Sequence, residues 1–383
     1  DTLLNMKERH VTPPKCATEV EREIRATLQT ILQSHKSARD PRLMDYNSLS
    51  SSAEFETFQR LSTELQSMCL AQTSFNVKIA LFINLFNALV LHGFVVLGPP
   101  KDLYQRIHFY NHTAYNINGS TYSLNGIEHG ILRGNQKPPH AYGRVWSSND
   151  PRLKAAVVVW DPRIHFAIAR GTMSCPVLQV YEPDQLDEML TAVTTTFCSE
   201  QVEVEWLGDR PLPDFGNWSV RQLKECLQEC GKDFTHFKEK SEFVECCTKT
   251  LCLTRSGQMP RREVLLPALF EWYQEDFGST PGDVLYWIRP YLNAEKKADM
   301  DRALEKDDWV IKYKPFDWTV NKPYSASVSI PASPSKSDPR SPHSARLSTP
   351  SSPPAPVLSP GSSFPRPGGM NKPRRGSKSK IDL

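Results

Sequence analysis

The stretch NVKIALFINLFNALVLHGFVVLG, residues 76–98, is the most apolar run in the chain, and its placement decides the fold. A helix that is apolar all round either crosses a membrane or lies at the centre of a globular core. Asn84, Asn87 and His92 interrupt the run. In hydrocarbon each would need an internal partner, so the expected place is a buried central helix and no membrane span. Asn84 and Asn87 lie three residues apart and project to one side. Buried amides must be hydrogen-bonded, so the pair should tie down a neighbouring loop or face a cleft.

Upstream, Val20, Ile24, Leu28, Ile31 and Leu32 recur at helical spacing over 17–35, as do Phe55, Phe58, Leu61, Leu65 and Met68 over 53–70. Downstream, residues 113–124 alternate around Asn118-Gly119, which predicts a hairpin with a tight turn, and 123–134 read as a short helix closed by Gly134. Strands are expected at 155–160, 164–169, 177–181 and 202–206, with a helix over 183–197. Two helical stretches follow within 263–293, then a closing strand and turn over 309–321. Strands joined first by tight turns and later by a helix imply an α+β fold: a mainly antiparallel sheet packed with helices around the central apolar helix. By analogy of layout alone, that arrangement is similar to papain-like and transglutaminase-like folds.

Several runs occur in one order: FINLFNALVLHG, YSLNGIEHGILRG, DPRIHFAIARGTMSCPVLQVY, LFEWYQEDFG and PFDWTVN. Together they resemble the domain-of-unknown-function 547 family, over roughly residues 45–321. The resemblance implies a fold more than an activity. It also implies that such a domain can end longer chains carrying glutaredoxin-like and DEP domains, which suits a sequence that opens with Asp1 rather than Met. The expected organisation is an N-terminal helix and linker at 1–44 and the domain at 45–321. The domain carries a helical, cysteine-bearing insertion at about 207–262, and a Ser/Pro-rich basic tail follows at 322–383.

Charge separates tail from body. Residues 325–383 hold nine basic and two acidic residues, whereas 1–324 hold 37 basic against 41 acidic. The basic excess lies in the tail, so the body has no case for nucleic-acid binding. The tail has few large apolar residues with which to offset its ordering entropy, and is expected to be disordered. Ser333, Ser341, Thr349, Ser352 and Ser359 each precede proline, and Ser377 follows Arg374-Arg375-Gly376, so kinases and protein partners are the expected readers of the tail.

Among residues that carry chemistry, Cys175 with His165 is the first candidate. A nucleophilic thiol needs a nearby base, and Asn84 or Asn87 would orient that base or hold an oxyanion. If 164–170 and 175–181 form a hairpin, Cys175 pairs near Arg170, about 16 Å along the strand from His165, and the two meet only if the intervening loop folds back. The competing reading is a structural cysteine in a turn and a hydrogen-bonded histidine. Arg163 and Arg170 are candidate anion binders, although Arg163 can equally pair with Asp161. His129, His140, His165 and Cys175 are zinc-ligand types without a ligand-motif spacing, so no metal is expected. Cys226, Cys230, His236, Cys246, Cys247 and Cys252 of the insertion lack a paired C-x2-C spacing and read as a helical core face. Glu271, Glu275 and Asp276, near Trp272 and Tyr273, are candidates for an acid/base pair but read first as a solvated helix face. No phosphate-binding glycine loop or RNA-binding aromatic pattern occurs, and no cofactor is expected.

The expected function is therefore an interaction or scaffold module of a larger signalling-type protein, cytoplasmic or nuclear, with a phosphorylatable tail and an oligomeric state left open. The alternative is a cysteine-dependent hydrolase or transferase using Cys175 and His165.

Overall fold

The computed structural model describes residues 1–6, 15–70, 73–139, 141–207, 214–229, 232–251 and 261–323. The chain divides into two units, Asp1–Ser325 and Ala326–Leu383. The six tail sites, Ser333, Ser341, Thr349, Ser352, Ser359 and Ser377, lie outside the described residues, as do His140, Cys230 and Cys252.

The first unit begins with strand β1 (Thr2–Leu3) and helix α1 (Ala17–His35). The apolar residues of α1 recur every three to four positions, and Val20, Ile24, Leu28 and Ile31 are buried as that spacing predicts. Each such side chain contributes about 1.5–3 kcal/mol on burial. Short helix α2 (Tyr46–Ser50) and α3 (Ala53–Ser62) pack against α1, each opened by a side-chain cap, Asp45 and Ser52.

Helix α4 (Phe75–Val96) is the predicted central helix. Among the described residues it is the one helix long and apolar enough to cross a membrane, and Ile79–Phe94 are packed inside the fold, against α1, α2 and residues 126–132. Its three polar interruptions are buried and bonded: His92 Nδ1 lies 3.0 Å from the Tyr115 hydroxyl, and the two asparagines hold the backbone of 167–181. Helix α5 (Leu103–His112), which no periodicity announced, leads into β2 (Thr113–Ile117) and β3 (Ser120–Ser123). These pair antiparallel with Tyr115 opposite Tyr122, and the turn residues Asn118 and Gly119 have φ of 47° and 78°, the paired positive values of a type I′ turn. Strand β1 completes this sheet in parallel with β2.

Helix α6 (Leu186–Gln201) runs into β4 (Glu203–Trp206). Helices α7 (Val220–Glu229) and α8 (Lys240–Leu251) form the insertion, with a core of its own made by Phe215, Leu223, Leu227, Phe243 and Cys247. The burial of Cys247 agrees with the core-face reading, and among the described residues no group of three or more metal-ligating side chains is gathered. The chain returns as β5 (Arg262–Pro267), antiparallel to β4, then passes through α9 (Leu269–Trp272), α10 (Gln274–Phe277), α11 (Pro281–Ile288) and α12 (Ala294–Lys306). Strand β6 (Trp309–Lys314) closes the second sheet in parallel with β5.

The fold is thus mixed helix and sheet, with three corrections. Each three-stranded sheet contains one parallel and one antiparallel pairing, so antiparallel pairing does not dominate. Residues 155–160, 164–169 and 177–181 are not strands: Pro162–Phe166 is a 3₁₀ turn, and the rest is irregular. Pro162 removes a backbone donor, and the Ala169 amide and the Tyr181 carbonyl find partners in Asn87 and Asn84 instead of a ladder. Conversely, residues 262–267, which read in part as helix, form the central strand β5 because β4 and β6 flank it on both edges.

Candidate functional site

Residues 126–132 form one wide π-helical turn, in which the Arg133 amide reaches back five residues to the Glu128 carbonyl at 2.9 Å. Such turns are over-represented at functional sites. This one buries Glu128, His129 and Arg133 together. The 3₁₀ turn 162–166, opened by Asp161 accepting from the Arg163 amide at 2.9 Å, sends His165 into the same region. Arg170 follows, just before Gly171, whose φ is +71°. A Cβ at Gly171 would stand 2.4 Å from the Phe94 ring, so only glycine lets the chain pass α4 there. From the other side come Tyr273, at the junction of α9 and α10, and Asp276 of α10.

These residues form two linked charge clusters. Asp276 receives Arg133 through both oxygens, Nε at 2.6 Å and Nη2 at 2.7 Å, and His165 Nε2 at 2.7 Å. Arg133 Nη1 also donates to His129 Nδ1 at 2.9 Å. Glu128 Oε1 accepts from Arg170 Nη2 and from the Tyr273 hydroxyl, each at 2.6 Å, and Arg170 Nη2 also reaches that hydroxyl at 3.1 Å. The Tyr273 ring links the clusters, with the His165 ring centroid 4.0 Å away and the Arg133 guanidinium 4.9 Å over its face.

Burial alone would raise the Glu128 carboxyl, but Arg170, with His129, His165 and the Tyr273 hydroxyl, brings it down to about 2. Burial lowers His129 to about 4, with Arg133 and Arg170 adding to it and Glu128 opposing. Burial likewise lowers His165 against the pull of Asp276. Burial opposes ionisation of Asp276, yet His165 and Arg133 leave its carboxyl below the usual range. At neutral pH both carboxylates are ionised and both imidazoles neutral.

Those states fix the tautomers. A guanidinium only donates, so His129 Nδ1 is the acceptor and its proton sits on Nε2. An ionised carboxylate only accepts, so His165 carries its proton on Nε2, and its buried Nδ1 has no hydrogen-bond partner.

Above the clusters opens a cleft of about 430 Å³. Glu128, His129, Arg170 and Tyr273 border it, and Ile107, Trp272 and Trp318 are among its apolar walls. The Arg106 guanidinium lies 3.9 Å over the Trp318 ring, which in turn stacks on Trp272 at 5.8 Å. A larger groove of about 1110 Å³ runs along another face of α5, beside Lys101, His108 and His112, and none of the buried charged residues borders it.

Residues 70–198 match the family described as Protein of unknown function, DUF547. No curated protein and no solved structure matches the chain. The DUF547 segment supplies Arg106, Glu128, His129, Arg133, His165 and Arg170, whereas Tyr273, Asp276 and Trp318 come from beyond it. The charge clusters are therefore assembled across the boundary of the match.

Of the site residues expected from sequence, the fold brings His165 and Arg170 into these clusters. Cys175 adjoins the clusters only through backbone: its sulfur accepts from the Arg170 amide at 3.2 Å and sits 3.0 Å from the Thr172 hydroxyl, and it lines a cavity of about 60 Å³. Among the described residues no hydrogen bond joins Cys175 to His165. Asn84 and Asn87 bond backbone and meet neither side chain: Asn84 spans the Tyr181 amide and carbonyl, Asn87 the Ala169 amide and the Ala167 carbonyl. Arg163 has its donors engaged by Asp161, Asp187 and Thr191, and Arg170 pairs with Glu128.

Sequence reasoning missed Glu128, Arg133, Tyr273 and the Arg106–Trp318 pair, and placed Asp276 on a solvated face. Asp276 is buried, while Glu271 and Glu275 are exposed as expected. The available signal was the adjacency of Glu128 and His129 inside a run bracketed by Gly126, Gly130 and Gly134.

Proposed function

We propose that the folded unit is an interaction module that holds a ligand in the cleft walled by Trp272 and Trp318, and that it does not act through thiol chemistry. The observation that carries this reading is the state of the titratable groups under the cleft. Glu128 is ionised and bonded within the fold, and His129 presents a protonated Nε2. His165 has its protonated nitrogen committed to Asp276 and its other nitrogen sealed in the interior. General base catalysis needs a lone pair within reach of a substrate proton, and neither imidazole offers one there. A cleft of this volume with aromatic walls and a few convergent polar groups is instead the usual form of a binding site. The tail, with its Ser-Pro and Thr-Pro pairs, would serve as the phosphorylated regulatory segment of such a module.

Two measurements test this. Trp272 and Trp318 report occupancy by their fluorescence, so titration with N-acetylphenylalanine, its amide and phenethylamine should give a saturable change with at least one probe, lost in Trp272→Ala. Hydrolysis of p-nitrophenyl acetate should be the same for the unaltered protein and Cys175→Ser. A burst of acyl-enzyme that disappears in Cys175→Ser would favour the thiol hydrolase.

A further inference from the structure

The cleft carries one charge that its own lining does not cancel. Of the charged residues bordering it, Glu128 and Arg170 pair at 2.6 Å, which leaves Arg106. Among the described residues Arg106 has no ion pair, and its Nε is buried without a hydrogen-bond partner. Stacking on Trp318 holds the guanidinium plane in place, so its fork is pre-organised for a planar oxyanion. The His129 ring, with its Nδ1 committed to Arg133, adds an Nε2–H donor to the same lining.

Resting on the binding-module reading above, we propose that the cleft is a site for a small organic acid, whose carboxylate is read by Arg106 and whose flat apolar body packs on Ile107 and the tryptophan wall. The surplus is a single positive charge, which a monoanion balances. A dianionic phosphate would bring an excess negative charge toward Glu128, which is already ionised and buried. A neutral ligand would cover Arg106 without compensating the water it loses. The volume, about 430 Å³, lies in the range of small-molecule sites, which favours a free acid over the end of a peptide chain.

The test titrates the full chain with N-acetylphenylalanine, its amide, phenyl phosphate and a tetrapeptide acid ending in phenylalanine, followed by tryptophan fluorescence and calorimetry. The acid should bind at least about tenfold tighter than the amide, as one charge-assisted bidentate contact warrants. Arg106→Gln should abolish that difference by weakening acid binding to the level of the amide in the same variant. Arg106→Lys should restore part of it. Equal binding of acid and amide, lost together in Trp272→Ala, would overturn the acid site and leave the binding module standing. No saturable change with any probe would overturn both. Tighter binding of phenyl phosphate would overturn the carboxylate class, and a tetrapeptide acid that binds about tenfold tighter than the single-residue acid would overturn the small-acid source.

Discussion

The two polar regions inside this fold are both buried and are built from opposite chemistry. Along α4, Asn84 and Asn87 are neutral amides that each engage one backbone amide and at least one carbonyl of the segment 167–181, as a neighbouring strand would. Beneath the cleft, Glu128, Arg133, Arg170 and Asp276 are ions that engage one another. A neutral amide loses little by burial once bonded, so the asparagine pair can sit in closed core with apolar residues all round. Buried ions recover their desolvation only with good geometry and full bonding, which makes such a cluster an expensive way to fill a core. The amides hold a segment, and the ions shape the floor of an open site.

Removing one member from each region is the strongest way to break this contrast. Asp276→Ala leaves Arg133 and His165 without their shared acceptor, and should cost about 3–5 kcal/mol in urea unfolding at pH 7. Asp276→Asn should lose less, since it keeps one acceptor oxygen. A loss below about 1 kcal/mol would mean that the cluster is not internally dependent. Asn87→Leu should cost about 2–3 kcal/mol, because it orphans the Ala169 amide and the Ala167 carbonyl but no charge. If it cost more than Asp276→Ala, the ranking of ions over amides would be wrong.

Acid sharpens the contrast further, since only the ionic region titrates. His129 has its pKa lowered on folding from 6.5 to about 4, so between those values the unfolded chain binds the proton that the folded chain refuses. Stability therefore falls as pH drops, by on the order of 1–2 kcal/mol from pH 7 to 5. Glu128, lowered from 4.5 to about 2, adds a second loss below pH 4.5 in the same direction. Chemical denaturation across this range should show the slope, and His129→Gln should flatten its upper part. Stability rising on acidification would contradict the neutral state assigned to His129. The smallest expected effect is at Cys175, which belongs to neither region: Cys175→Ser should change stability by less than about 1 kcal/mol, and iodoacetamide should label this buried thiol more slowly than a free one. Faster labelling would bring thiol chemistry back.

Elements whose burial is one-sided or complete and regular were legible. The helical spacing of α1 and α3, the long apolar run of α4 and the Asn118-Gly119 turn each carry a local physical cause; α1, α4 and the turn stand where their patterns put them, while the helix expected over 53–70 ends at Ser62 and gives way to a 3₁₀ turn at Thr63–Ser67. The run 155–181 was misleading because apolar content reports burial and not backbone form. Ile164 and Phe166 are fully buried in a 3₁₀ turn and Ile168 in irregular chain, while Val158 and Val159 are exposed. Strand β5 was read in part as helix for the converse reason: its pairing with β4 and β6 comes from segments far away in sequence.

By itself the sequence determined that α4 would be central and that its two asparagines would need partners, because an apolar helix must be covered and a buried amide must be bonded. It also determined the contrast in charge between body and tail. Only the tertiary structure decided that Asn84 and Asn87 bond the backbone of 167–181, that His165 meets Asp276 rather than Cys175, and that Arg106 borders a cleft without an ion pair among the described residues. Those outcomes depend on contacts such as His165 with Asp276, 111 residues apart, and no local pattern of residues encodes which distant group a buried polar atom will find.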